Sequence, residues 1–147
     1  MVNNQLQAQL STTLNTLLRE KRIFSYFTFP NIPLFNDVPC DTFVITNDGR
    51  TFWLEAKSAK LNRVDTFNIS QRQIDTNRVL QRPENHHVFL FGFYMKDETH
   101  KPQYSFVEKY DSIPRKLKSY VQANEVVEIA KVYGDNLESL TITYLGV

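Results

Sequence analysis

This sequence predicts an α/β domain, a mixed central β-sheet flanked by helices, on three observations. A leucine stripe opens the chain at helical spacing, an Asp-Gly turn joins two β-rich runs, and a helix-start signal separates that hairpin from a dense apolar run. The resulting order is helix, strand, hairpin, helix, strand, strand. Such an order wraps helices around one sheet of mixed strand direction.

Residues 3 to about 20 read as the first helix, with Leu6, Leu10, Leu14, Leu17 and Leu18 in one stripe and Gln, Asn, Ser and Thr elsewhere. The stripe serves core packing or a dimer seam. Ile23 to Phe29 is a strand stopped by Pro30, and the three prolines from Pro30 to Pro39 make a fixed loop. Asp37 within it caps the loop or supports a neighbouring site. The hairpin runs from Asp41 to Lys57, with a type I′ turn expected at Asn47-Asp48-Gly49, where both central residues take positive φ.

A helix is expected from Ser70 to about Gln81. Ser70 and Gln73 form a capping box, and Pro83 lies just beyond the end. Its apolar stripe is only Ile74, Val79 and Leu80, which leaves a face for a ligand or partner. Val88 to Met95 is a buried central strand, preceded by His86 and His87. Adjacent strand residues point to opposite faces, so these two histidines do not share a metal. Tyr104 to Tyr110 is the next strand, and Pro114 to Val121 a short helix. Glu125 to Tyr133 and Leu137 to Leu145 read as two strands around Gly134-Asp135-Asn136. This C-terminal hairpin extends the sheet, forms a dimer edge or grips DNA.

At 147 residues the chain is one domain, residues 1–147, able to bury about two thirds of its unfolded surface. A hydrophobic fraction of 41% excludes a disordered chain. The net charge of +1 is not that of a strongly basic nucleic-acid binder. Cations nevertheless cluster between Lys57 and Arg82, at Lys60, Arg63, Arg72 and Arg78, with a second group at Arg115, Lys116 and Lys118. The first cluster adjoins the hairpin and suits phosphate contact. The single Cys40 allows no internal disulfide, which points to a reducing, cytoplasmic setting, and its apolar neighbours make it a buried, inert thiol. No run approaches the ~20 apolar residues of a membrane span, so no membrane partner is expected.

The hairpin carries the chemistry. Folding at Asp48-Gly49 lays Asp41 beside Glu55, and Lys57 falls on the same face as Glu55. Two close carboxylates raise each other's pKa, and a divalent cation is the natural way to keep both ionised. Mg²⁺, with Mn²⁺ able to substitute, takes such oxygen ligands together with water and substrate phosphate. A lysine beside it positions the attacking water or offsets phosphate charge. An isolated Glu-x-Lys is ordinarily an exposed ion pair at a strand end. Here the preceding Phe52-Trp53-Leu54 run belongs to a strand covered on both faces, so charges at its end need a reason.

Pro39-Cys40-Asp41, a hairpin, and Glu55-Ala56-Lys57 together resemble the PD-(D/E)XK nucleases, the restriction-endonuclease-like superfamily. The following basic loop with a Phe, then Gln73-Ile74 opening a polar helix, resembles in particular the RecU-type and archaeal Holliday junction resolvases. The resemblance covers roughly residues 37 to 95. It implies a restriction-endonuclease-like core, Asp41, Glu55 and the carbonyl of Ala56 as metal ligands, Lys57 as the residue that positions water, and Gln73 facing the active site. Related families place a glutamate on the first helix as a further ligand. The only acid on this helix is Glu20, at its very end, so Glu20 fills the role, Gln5 or Gln9 substitutes, or the site has two carboxylates. Lys60, Arg63, Arg72 and Arg78 would then contact DNA.

The expected activity is a Mg²⁺-dependent DNA endonuclease, a phosphodiester hydrolase most like a Holliday junction resolvase acting in DNA recombination. It would act on branched or duplex DNA as a homodimer or higher homo-oligomer. A sequence-specific homing or restriction endonuclease on the same core is the rival, and a catalytically silent DNA-binding module a further alternative. The chain departs from RecU-type resolvases in having no room for their long insertion before the motif.

Overall fold

The computed structural model describes residues 2–29, 40–60, 69–94, 101–109, 113 and 120–147. In chain order these form α1 (Val2–Arg19), β1 (Ile23–Thr28), β2 (Thr42–Thr46), β3 (Thr51–Lys60), α2 (Gln71–Leu80), β4 (Asn85–Tyr94), β5 (Gln103–Val107), α3 (Tyr120–Ile129), β6 (Val132–Gly134) and α4 (Leu137–Leu145). The six strands make one sheet in sequence order, with every neighbouring pair antiparallel except β3 and β4. Those two run parallel over ten residues each, Thr51 beside Asn85 through Lys60 beside Tyr94. A parallel pair needs a crossover, and α2 lies within it.

Each face of the sheet has its own core. On one face, Leu6, Leu10, Leu14 and Leu17 of α1 and Leu137 and Leu145 of α4 pack on Val44, Phe52, Leu54, Val88, Leu90 and Phe106. On the other, Ile74 of α2 and Ala123 and Val126 of α3 pack on Ala59, Phe89, Phe91, Phe93 and Val107. β4 sits between the two and is buried along eight consecutive residues, which is why its sequence shows no alternation.

α1 approaches the sheet closely at Gly92, where a Cβ would lie 2.9 Å from the Tyr94 ring and 3.2 Å from Leu6. The helix ends in a Schellman turn, with the Arg22 amide donating to Leu17 O and the Lys21 amide to Leu18 O. Lys21 takes the left-handed conformation there, at φ 60.

The β2–β3 turn differs from the type I′ expectation. Only Gly49 of its three residues has positive φ, at 88, and the Thr46 amide donates to Arg50 O across the loop. This is the three-residue hairpin that ends in a left-handed glycine. A two-residue turn at Asp48-Gly49 would pair Asn47 with Arg50; the three-residue loop shifts the register by one, setting Thr42 opposite Leu54.

The C-terminal hairpin is absent. Residues 125–129 end α3, only Val132–Gly134 forms a strand, and Leu137–Leu145 is helical. Helical spacing buries Leu137, Thr141 and Leu145, Asn136 caps the N-terminus through the Ser139 amide, and Gly146 closes the helix at φ 70. β-branched composition suggested strands, and the two caps outweigh it. The short helix expected at Pro114 to Val121, the proline loop with Asp37, and the basic group at Arg115, Lys116 and Lys118 lie wholly or mostly outside the described residues.

The close approach at Gly92 is testable. Gly92→Ala forces the Tyr94 ring or Leu6 to move and is expected to cost about 1–3 kcal/mol in urea denaturation.

Candidate active site

Asp41 stands one residue before β2, where the antiparallel ladder with β3 ends. Its amide still donates to Leu54 O at 3.1 Å, continuing the register one step so that Asp41 faces Glu55. Beyond this point, among the described residues, no strand pairs with Ala56 on the β2 side. The Asp41 carboxylate takes that role, its Oδ2 accepting the Ala56 amide at 2.8 Å. In a strand the carbonyl of a residue points to the same side as its amide, so the Ala56 carbonyl is directed toward the same gap as Asp41.

Glu55 is buried, with 6% of its surface exposed. Its Oε1 accepts from the Gln73 side-chain amide and lies 3.8 Å from Lys57 Nζ. Gln73 does two things at once. Its Oε1 accepts the Ser70 amide at 3.0 Å while Ser70 Oγ accepts the Gln73 amide at 3.2 Å, the full capping box. With the oxygen held by Ser70, the NH₂ end must face Glu55. The cap that starts α2 thereby orients a hydrogen-bond donor into the site.

Gln7 was not foreseen. Its side chain hydrogen-bonds to Asp41 from the first turns of α1. Of the alternatives on that helix, Gln9 is engaged elsewhere, its Oε1 accepting both Tyr94 and Tyr104 hydroxyls at 3.0 Å. Gln5 is exposed, and Glu20 lies past the far end of the helix, exposed and paired with Arg22 at 3.3 Å. Thirteen residues separate Gln7 from Glu20, about 20 Å along a helix axis. Glu20 therefore does not belong to this site. Gln7 and Gln9 border the leucine stripe on opposite sides, and only the tilt of α1 on the sheet decides which one meets Asp41.

The electrostatics follow from burial. Glu55 is pushed up to about 8, first by burial and next by the negative charge of Asp41, with Lys57 opposing. Burial pushes Asp41 up as well, against the Ala56 amide, Lys57 and Gln7, which favour its charged form. Cys40 is buried beside them, its thiol accepted by Thr42 O at 3.1 Å. Burial and then the neighbouring carboxylates push that thiol far up, so it is not a nucleophile.

Two carboxyls pushed up by burial, and a backbone carbonyl aimed at the same gap, form an oxygen donor set that fits a hard divalent cation. Among the described residues, no group of three His, Cys, Asp or Glu side chains converges on a point. The remaining places for ligands on such an ion suit water and substrate.

The cations expected to contact DNA are dispersed. Lys60 ends β3 on the α1 face, opposite to Lys57, because side chains alternate along the strand. Arg72 and Arg78 are exposed on the outer side of α2. Arg63 lies outside the described residues. His86 and His87 do point apart. His87 is fully buried, with Asn77 Nδ2 2.9 Å from its Nδ1, and His86 stacks on Phe52.

The chain matches no protein-family model and no curated protein.

The burial of Glu55 sets a pH dependence. In the unfolded chain it loses its proton near 4.5, and in the folded chain near 8. Its contribution to stability is fully present below pH 4.5 and is lost as the pH rises through 8. In EDTA, melting temperature is expected to fall from pH 5 to pH 9, Glu55→Gln to flatten that fall, and millimolar Mg²⁺ to raise the wild-type value at pH 8. Ser70→Ala is expected to cost about 1 kcal/mol through loss of the helix cap.

Proposed function

We propose that the chain is a divalent-metal-dependent phosphodiesterase acting on DNA, an endonuclease of the restriction-endonuclease-like kind. One observation carries the reading: Asp41, Glu55 and Lys57 converge where β2 and β3 part, with both carboxyls held above their usual range. A surface ion pair does not set a buried Glu55 and a half-buried Asp41 around one lysine, and a bound cation would relieve the cost.

The residues divide the work. Asp41, Glu55 and the Ala56 carbonyl would hold Mg²⁺, which when bound would supply charge for the phosphate and acidity for water. Lys57, 3.8 Å from Glu55, is placed to orient water or to take charge from a phosphate oxygen. Gln73 keeps Glu55 turned toward the gap, and Gln7 does the same for Asp41. In-line attack on phosphorus then expels the bridging oxygen.

The narrower reading, a nuclease like the Holliday junction resolvases, rests on the Glu-Ala-Lys strand followed by a helix whose first turn sets Gln73 against Glu55. Such an enzyme makes two cuts, and we propose that two copies pair to do so. Since α4 replaces the C-terminal hairpin, DNA would be gripped elsewhere.

The test is cleavage of a labelled four-way junction and of its component duplexes, with Mg²⁺, Mn²⁺ or EDTA. Nicking of the junction in either metal, absent in EDTA and reduced about 10²–10³-fold by Lys57→Ala, is the expected result. Cleavage of one duplex sequence alone would turn the reading to a sequence-specific endonuclease. No cleavage in any metal would overturn it.

A further inference from the structure

The face of the sheet that carries the carboxylates is covered unevenly. α2 packs on β4 and α3 on β5, whereas α1, the helix that meets β1, packs with Ile23 and Val44 on the opposite face. The β1–β2 half presents rings. Register puts Phe27 opposite Phe43 and Phe43 opposite Trp53, and directly opposed residues share a face. Phe29 pairs with Asp41, its amide donating to Asp41 O at 2.9 Å, so Phe29, Asp41 and Glu55 form the adjoining row. The two rows lie ~7 Å apart, two residues along a strand.

The rings are ordered. Trp53 Nε1 donates to Asn85 Oδ1 at 2.7 Å, and Asn85 is itself anchored to Leu80 O at 2.7 Å. Phe29 lies within 4° of parallel to Trp53 at 6.4 Å, and Phe43 tilts against Trp53 at 4.2 Å. Phe27 keeps 54% of its surface exposed, a large desolvation opportunity left unused.

Resting on the nuclease reading above, we propose that this aromatic row is a stacking platform for unpaired nucleobases of the strand whose phosphate reaches Asp41, Glu55 and Lys57. Along β3 the order on this face is Lys57, Glu55, Trp53, so a strand following it meets the charged site and then the rings. A spacing of ~7 Å is about two phosphates of a stacked strand at 3.4 Å each. Stacking of bases on aromatic side chains is indifferent to sequence, and it selects unpaired over paired bases because a duplex hides its π-faces. The substrate class is therefore DNA with unstacked bases beside the cut, as at a branch point or a single-stranded arm. A protein partner lying flat on these rings, a second copy included, would also cover Asp41 and Glu55 in the next row and close the site.

Trp53 is the only tryptophan of the chain, so its emission reports on this surface directly. In EDTA, oligothymidylate is expected to quench Trp53 saturably, and an abasic strand of equal length and charge to bind at least tenfold more weakly. Phe27→Ala, at an exposed position with little bearing on folding, is expected to weaken oligothymidylate binding about five- to hundredfold, and Phe27→Tyr to leave it unchanged. Equal quenching by the abasic strand would overturn the proposal, as would an emission change that follows protein concentration without DNA, the sign of a second copy on this face. Lys57-dependent cleavage with no base-dependent quenching would remove the platform alone. Base-dependent quenching without metal-dependent cleavage of any DNA would remove the nuclease reading, and the platform's assignment to a scissile strand with it.

Discussion

The hydrogen bond from the Ala56 amide to the Asp41 carboxylate is the constraint on which the site depends. β3 is the longest partner of two neighbours, paired with β4 over its full length and with β2 over less than half of it. Where β2 ends, the Ala56 amide passes beyond the β2 ladder, and a buried unpaired amide would cost about 1–3 kcal/mol. Asp41 ends the ladder by substituting a side-chain oxygen for a strand. The same act brings a carboxylate into the gap beside Glu55 and aims the Ala56 carbonyl at it. Sheet termination and the assembly of an oxygen donor set are thus one event.

That arrangement is held from both sides of the sheet. α1 reaches Asp41 through Gln7, and α2 reaches Glu55 through Gln73. Both are neutral amides, able to donate to a carboxylate without neutralising it. A cationic partner in either place would lower the carboxylate pKa but would also repel a metal ion. Lys57 stands 3.8 Å from Glu55, longer than a direct hydrogen bond. Burial raises both acids despite these partners and so weakens the fold at neutral and higher pH, a pattern found where burial energy is exchanged for chemistry.

Much of this was legible in the residues. The Asp-Gly signal gave the existence and place of the hairpin, while its register follows the three-residue loop and is one residue off what a type I′ turn at Asp48-Gly49 sets. Ser70 and Gln73 announced α2 through a capping box that is present in full. The C-terminal region misled because Val, Ile, Thr and Tyr favour strands on average, while the period of four in Leu137, Thr141 and Leu145 and the Asn136 and Gly146 caps point to a helix. Propensity is the weaker of these signals when packing and caps agree against it.

The sequence by itself determined the local facts: which runs are strands in the first two thirds of the chain, that Glu55 and Lys57 share one face, and that Gln73 caps a helix. These depend on residues near one another, through a period of two or a four-residue box. Only the tertiary structure decided that Gln7 and not Glu20 attends Asp41, that Lys60 faces away from Lys57's side of the sheet, and that a row of rings adjoins the carboxylates. Each of these depends on how a helix lies across the sheet or on how three strands align, and such alignments are set by contacts between residues far apart in the chain.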